Sequence, residues 1–442
     1  MKACFSFLIL LSLSLSICLG QQNQDGLSEK SRVEKWMEDI SYFEDTFLKK
    51  AKTYTKSAKD SCFMILADVK SQLDSLSDFQ IRLALIRSVV LADNAHTTML
   101  LPKMEKVPLR FFRFAEGLFI VKTDSASSAY LGARVIQING HKLEQVEQAL
   151  FPYLAGIDKW KKYKTPSIIN SPEMLYQLGM GIKDSIFLDL VLEQDTLQAS
   201  FGTKAMHTDR YWFESWANLY PKAGPDHEWR FIKSDTNRLP LYLQQAEKGV
   251  FFSFLEEEKI AYFHINSFWE KCPDFKGLIE DFHKELKRKA DYDVVIDLRN
   301  YTGGNYGYAV KLASEPPKII HEDKKIYLIT SNRTYSAGIV TAARIKYYAK
   351  ERIVIVGEEV GDRLRFWAES VPRILPHSGY RVYDAREEHD WKDGKRRFFR
   401  THFPNFLYGV PAKELDVDQK IVPSFLDFME DRDPVMEWIL AQ

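Results

Sequence analysis

Residues 326–340 read IYLITSNRTYSAGIV. An apolar run, Ile326–Ile329, ends in a polar bend, Thr330–Thr334. Tyr335-Ser336-Ala337-Gly338 then leads into a segment with helical character. A small hydroxyl residue flanked by Ala and Gly thus sits where a strand hands over to a helix. Outward from this point, four strand candidates appear after residue 250: KIAYFHINSF, YDVVIDLRN, KIYLITSN and RIVIVGEEV. The middle two are short and almost uniformly apolar, as strands buried on both faces are. Helix-length segments separate them at Cys272–Ala290, Asn305–Ser314 and Ser336–Lys350. The alternation predicts an α/β layer with parallel strands joined by right-handed crossovers.

Ligands of such layers bind beyond the carboxyl ends of the strands. Two polar loops fall there, DLRNYTGGNYG after the second strand and SNRTYSAG after the third. If the strands are neighbours, the loops share one crevice. Ser336 then lies at a helix N-terminus, where unpaired N–H groups and the positive dipole end meet. A nucleophile there has the N–H of Ala337 for a developing oxyanion, and Gly303 or Gly304 offers a second N–H with no side chain in the way. The competing reading is that Ser336 is an ordinary N-cap, and the stretch alone does not decide. A serine nucleophile also needs a base. Among ten histidines, His96 in LADNAHTTML sits where a helix breaks into a polar loop. A lone histidine is otherwise an unremarkable surface or core residue.

Earlier regions read differently. The chain has 442 residues, 45% apolar and 28% charged, enough for two or three domains. Its 61 basic and 61 acidic residues cancel, which argues against a nucleic-acid binder driven by phosphate neutralisation. Residues 1–20 carry Lys2, an apolar FSFLILLSLSLSI and a CLG before QQNQDG, the pattern of a secretory signal peptide cleaved after Gly20. A lipoprotein reading would anchor at Cys18, but Ile17 is bulky where a small residue belongs. No later segment reaches the roughly 18 apolar residues of a membrane span. Residues 21–105 form an N-terminal helical region, with Trp36, Ile40, Phe43 and Phe47 at helical spacing and Ser77 as an N-cap. Residues 106–190 form a β-rich module broken at Gly117, Gly132 and Asn139-Gly140. KDSIFLDLVLEQDTLQASF reads as a hairpin turning near Gln194-Asp195. Residues 191–249 form an irregular connection, and residues 250–442 the α/β domain. Once the leader is removed, Cys62 and Cys272 remain, which allows one bridge or two free thiols. Neither sits in a zinc-ligand pattern, so no metal and no cofactor is expected.

The set DLRNYTGGN, TSNRTYSAG, VGEEVGD and DPVMEWIL, with the upstream DNAHTT, resembles the C-terminal-processing (tail-specific) serine peptidases and their tricorn-like relatives. EGLFIV through LGARVIQINGHKLEQV is similar to the family's PDZ-type module. The resemblance covers roughly residues 75–440 in the same order. It implies a crotonase-like or Clp-protease-like α/β core, with Ser336 as nucleophile, His96 as general base, and Gly303 or Gly304 and Ala337 as oxyanion donors. It implies a peptide or protein substrate captured as an extended strand by the PDZ-like module. No lysine stands where the lysine-using branch keeps its base, and Lys346 and Lys350 lie on the following helix. The third residue stays open. Glu358 matches the family glutamate and is included as a site residue without a role, and Asp416 and Asp418 are the other acids considered. Thr302 replaces a family glycine, and Asp362 brings a charge near the crevice. Asp297 and Arg299 read as a structural pair.

A secreted or periplasmic serine peptidase is therefore expected. The alternatives are a catalytically inactive peptide-binding protein on the same scaffold and a crotonase-like acyl-transfer enzyme. The sequence gives no oligomeric state.

Overall fold

The computed structural model describes residues 30–206, 215–220, 228–233, 238–267, 272–398 and 400–442. The expected leader lies outside these residues, as do 207–214, 221–227 and 234–237 of the expected connection. Sixteen strands are present among the described residues. In chain order they are β1 Thr98–Met99, β2 Leu109–Phe114, β3 Gly117–Asp124, β4 Arg134–Ile138, β5 His141–Lys142, β6 Ser185–Leu192, β7 Asp195–Gly202 and β8 Trp229–Phe231. They continue with β9 Val250–Leu255, β10 Ile260–Asn266, β11 Asp293–Asn300, β12 Ile326–Thr330, β13 Ile353–Gly357, β14 Arg365–Ile374, β15 Arg381–Asp390 and β16 Gln419–Lys420.

The four strand candidates after residue 250 are β10 to β13, and they lie side by side in parallel. The sheet order is β16-β13-β12-β11-β10-β9, with β9 added antiparallel to β10. Alternation is absent from their sequences because both faces are covered. Val294, Ile296 and Leu328 pack with Ile279 and Phe282 of the Phe275–Arg288 helix and with Ala342 of the Ala337–Ala349 helix. On the other face Val295, Tyr327 and Ile329 meet Val435, Met436 and Ile439 of the C-terminal helix Pro434–Leu440.

The helices Arg32–Tyr42, Lys56–Ser71 and Asp78–Val90 form the N-terminal region, and Ser77 caps the third with a capping box. They share one core with a sheet of order β2-β3-β4-β6-β7, in which β8 also pairs with β3. This sheet continues to Gly202, so the boundary expected at residue 190 falls inside the β6–β7 hairpin. Both cysteines are free thiols: Cys62 is buried against the Ser88 carbonyl and Cys272 is half-buried.

Two features escape the sequence reading. One is β9. The other is the long hairpin β14–β15, which forms a three-stranded sheet with β1 in the order β1-β15-β14. β1 follows His96 by one residue and pairs Thr98 with Tyr383 and Met99 with Val382. An upstream segment is thereby held on a hairpin that follows the Ser336 helix in the chain.

Asp297 and Arg299 pair at 2.9 Å inside the core, and Arg299 also pairs with Asp433 at 2.9 Å. Asp433 caps the C-terminal helix through the N–H groups of Val435 and Met436. Removing one member of a buried ion network leaves the other uncompensated. Asp433→Ala is therefore expected to lower the free energy of unfolding by roughly 3–5 kcal/mol, measured by chemical denaturation. A loss below about 1 kcal/mol would show that the pair behaves as an exposed one.

Candidate active site

The sequence Ser331–Gly338 is tied to the end of β11 by its own polar atoms. Thr334 Oγ1 donates to the Leu298 carbonyl at 2.9 Å and accepts from the Ser331 N–H at 3.0 Å. Ser331 Oγ donates to the Arg299 carbonyl at 2.6 Å. The Tyr335 N–H donates to the Tyr301 carbonyl at 3.1 Å. A Cβ on Gly338 would stand 2.3 Å from that same carbonyl oxygen, so only glycine permits the approach. These ties force Ser336 to φ 52°, ψ −115°, a conformation costly for a residue with a Cβ.

Ser336 occupies the cap position of the Ala337–Ala349 helix but makes no side-chain cap bond. Its Oγ lies 2.9 Å from His96 Nε2, across 240 residues of sequence. The N-cap reading therefore does not describe this serine. Ala337 opens the helix, so its N–H belongs to the turn that lacks intrahelical partners. Gly303 comes so close that a Cβ there would sit 3.3 Å from Ser336 Cβ and 3.7 Å from its Oγ. Gly304 follows with φ 122° and is exposed. Thr302, in the family's glycine position, has its hydroxyl 2.8 Å from Ser267 Oγ, which also donates to the Asn300 carbonyl.

His96 is held on every side. Its carbonyl accepts from Ser370 Oγ at 2.7 Å. Asn94 Oδ1 accepts from the Trp367 N–H at 3.0 Å, and Arg363 pairs with Asp93 at 2.9 Å. Asn94 thereby anchors the DNAHTT segment on β14. The His96 ring lies between those of Tyr335 and Phe366, with centroids at 4.9 and 5.2 Å, and Trp160 stacks on Tyr335 at 4.0 Å. Burial among these rings pushes the His96 pKa down to about 3, with the neighbouring His389 acting in the same direction. The neutral ring is the form that can accept the Ser336 proton. Its other nitrogen, Nδ1, lies 3.0 Å from Tyr335 Oη.

Glu358 is elsewhere. Its carboxylate lies 3.5 Å from Asn332 Nδ2, and it lines a cavity of about 380 Å³ with Phe112, Phe114, Arg299, Arg333 and Phe428. Burial raises its pKa. Asp418 pairs with the Ile355 N–H and fixes β16 beside β13. Lys346 donates instead to the Glu414 carbonyl. No acid contacts His96 Nδ1 among the described residues: the hydroxyl of Tyr335, one residue before the serine, holds that position. Only its adjacency to Ser336 marked it in the sequence. Burial pushes the Asp362 pKa up to about 6, and burial, with the nearby Asp362 second, raises that of the Tyr335 hydroxyl and keeps it protonated.

Residues 259–321 match the model of peptidase family S41, which bears out the resemblance to the tail-specific serine peptidases. The matched stretch spans β10, β11 and the Gly303-Gly304 loop. No curated relative matches the chain. Among solved structures, mature CPAF complexed with lactacystin superposes with a TM-score of 0.58 at 10% identity, covering 92% of this chain and 97% of that one. Mature CPAF gives 0.55 at 11% identity, covering 92% and 96%. At such identities the likeness is one of fold, a mixed α/β architecture with several sheets. Together with the family match it supports a serine-type peptidase.

The depressed pKa of His96 has a consequence for stability. An unfolded histidine takes up its proton near pH 6.5 and the folded one does not, so the unfolded state binds the extra proton as pH falls. Stability is expected to drop below about pH 6.5 by about 1.4 kcal/mol per pH unit for this imidazole. His283, pushed down to about 4 by burial, acts in the same direction. Urea unfolding from pH 7 to pH 5 should show the slope, and His96→Gln should reduce it. An equal slope in both proteins would mean that His96 titrates normally in the fold.

Proposed function

We propose that this S41-type chain is a serine peptidase that hydrolyses peptide bonds through an acyl-enzyme on Ser336. The carrying observation is the 2.9 Å approach of His96 Nε2 to Ser336 Oγ, at a serine held in a left-handed conformation at a helix start. His96 takes the hydroxyl proton as Oγ attacks the substrate carbonyl, and returns it to the leaving amine. The N–H groups of Ala337 and of Gly303 or Gly304 receive the oxyanion. Water then attacks the ester by the reverse route. Tyr335 is the positioning residue: with its Oη accepting from Nδ1–H, the Nε2 lone pair faces the serine. Glu358 stays a site residue through the cavity it lines. No metal or cofactor enters this chemistry.

The α/β layer is read as a crotonase-like or Clp-protease-like core, and residues 106–190 with the rest of the β6–β7 hairpin as a PDZ-like module. An extended substrate is expected along β2, which ends its sheet and borders the cavity next to Asn332 and Arg333. The strand β3 is flanked on both sides, by β2 and by β4 and β8, so strand addition to it is blocked. The leader-like residues 1–20 support a location outside the cytoplasm, and no helix among the described residues is long and apolar enough to cross a membrane.

A fluorophosphonate probe should label the wild type and not Ser336→Ala. Labelling of neither, with peptide binding intact, would leave only a binding protein. His96→Ala should lower kcat by roughly 10³-fold or more in a fully folded protein, and unchanged turnover would remove the Ser–His assignment. Tyr335→Phe should lower kcat by about 10- to 100-fold with KM unaltered. An unchanged kcat there would deny the tyrosine its positioning role.

A further inference from the structure

On the far side of Phe366 from His96 lies a second cluster that the chemistry above does not use. The Phe366 ring stacks on His389 at 5.0 Å, and His389 on His402 at 5.7 Å. Glu369 projects between the two imidazoles. Its Oε1 lies 3.2 Å from His389 Nε2 and 3.5 Å from His402 Nδ1. One donor atom from each residue falls within 4.8 Å of the other two. We propose that Glu369, His389 and His402 form a binding site for a divalent transition-metal ion, which the donor set assigns to zinc.

The geometry favours an ion over a simple hydrogen-bonded group. Donor atoms around a tetrahedral zinc, each at about 2.0–2.1 Å, stand about 3.3 Å apart. The two Glu369–imidazole separations already match that edge, so only the distance between the imidazoles has to close. His389 is almost wholly buried, and its Nε2 makes no well-aligned hydrogen bond although the Glu369 carboxylate stands 3.2 Å away. Glu369 has φ 51° within β14, a left-handed conformation rare for a residue other than glycine. Two imidazoles and one carboxylate suit zinc and leave a position for water. At 37% exposure the Glu369 side chain leaves an entry path.

The groups behind the imidazoles set their tautomers. His402 Nε2 faces Glu387 Oε2 at 3.8 Å, which leaves its Nδ1 lone pair toward Glu369 and the Tyr306 hydroxyl, 2.6 Å away. His389 Nδ1 lies 2.9 Å from the Asn405 amide and accepts from the Trp391 Nε1–H at 3.3 Å. With Asn405 presenting Nδ2, His389 carries its proton on Nε2 and the cluster is a metal-free carboxylate–imidazole pair. Asn405 Oδ1, however, is buried without a partner. Turning that amide over makes Oδ1 the acceptor for Nδ1–H and frees the Nε2 lone pair for a metal, at the cost of the Trp391 Nε1–H bond to Nδ1. The ion would clamp β14, β15 and the segment before the Phe403–Tyr408 helix into one wall behind Phe366 and His96. The ligands come from three separate segments, which is why no ligand spacing is visible in the sequence. The inference does not depend on peptidase activity.

The test uses the full chain without an affinity tag, stripped with chelator, incubated with zinc chloride and dialysed. Zinc per chain is read by mass spectrometry, and cobalt is substituted for its visible absorption. The wild type should retain about one zinc per chain, show cobalt bands of a four- or five-coordinate site, and melt at a temperature that rises with zinc concentration. Glu369→Gln, a change of one atom on a partly exposed side chain, should abolish retention with an unchanged circular dichroism spectrum, and His402→Ala should do the same. Zinc retained no better by the wild type than by Glu369→Gln would overturn the proposal in favour of the metal-free pair. Equal stoichiometric retention by all three proteins would overturn it too, by placing the ion elsewhere.

Discussion

The fit between the Ser331–Gly338 segment and the end of β11 is the constraint on which the site depends. The Tyr301 carbonyl accepts from the Tyr335 N–H and leaves no space for a side chain at residue 338. Thr334 and Ser331 add bonds to the Leu298 and Arg299 carbonyls. Three hydrogen bonds and the close approach at Gly338 leave Ser336 one conformation, with a positive φ and no side-chain bond to its own helix. A backbone conformation costly in isolation persists only where its surroundings over-determine it. Here they also bring Gly303 under the serine.

The second requirement of the proposed chemistry is a base that stays neutral. A histidine in water is partly protonated near neutral pH. Burial between the Tyr335 and Phe366 rings disfavours the charged ring, and the bonds of Asn94 and Ser370 fix the segment that carries it. β1, only two residues long, joins this segment to β15. The hairpin β14–β15 is thus the platform that turns a distant histidine into a neighbour of the serine. The same rings continue through His389 to His402, so the back of the platform is built from titratable groups rather than from aliphatic core.

Much of the α/β layer was legible because buried parallel strands are apolar throughout and Ser336 and Gly303-Gly304 fall at their carboxyl ends. Pairing His96 with Ser336 rested on a family likeness, since no pattern in one chain links residues 240 apart. The hairpin β14–β15 was not legible. Its strand RVYDAREEHD buries Asp384 and His389, whose charges and polarity are met by Arg373, Arg386 and Glu369. Hydropathy alternation therefore never appears. The edge strand β9 falls inside the expected α/β domain but went unread, because its partner β10 reads as a complete strand without it. Glu358 matched the family's glutamate by position, yet the groups that face His96 Nδ1 and the cavity are decided by side-chain direction, which a motif does not carry.

The proposed chemistry requires a neutral His96 that bears its proton on Nδ1 and accepts from Ser336 through Nε2. Nitrogen-15 chemical shifts of the histidine rings, with His96 assigned by substitution, report tautomer and charge directly. The ring is expected to stay neutral and to carry its proton on Nδ1 from about pH 7 down to about pH 5. A ring that protonates near pH 6.5 like a free histidine, or one that holds its proton on Nε2 across that range, would contradict it.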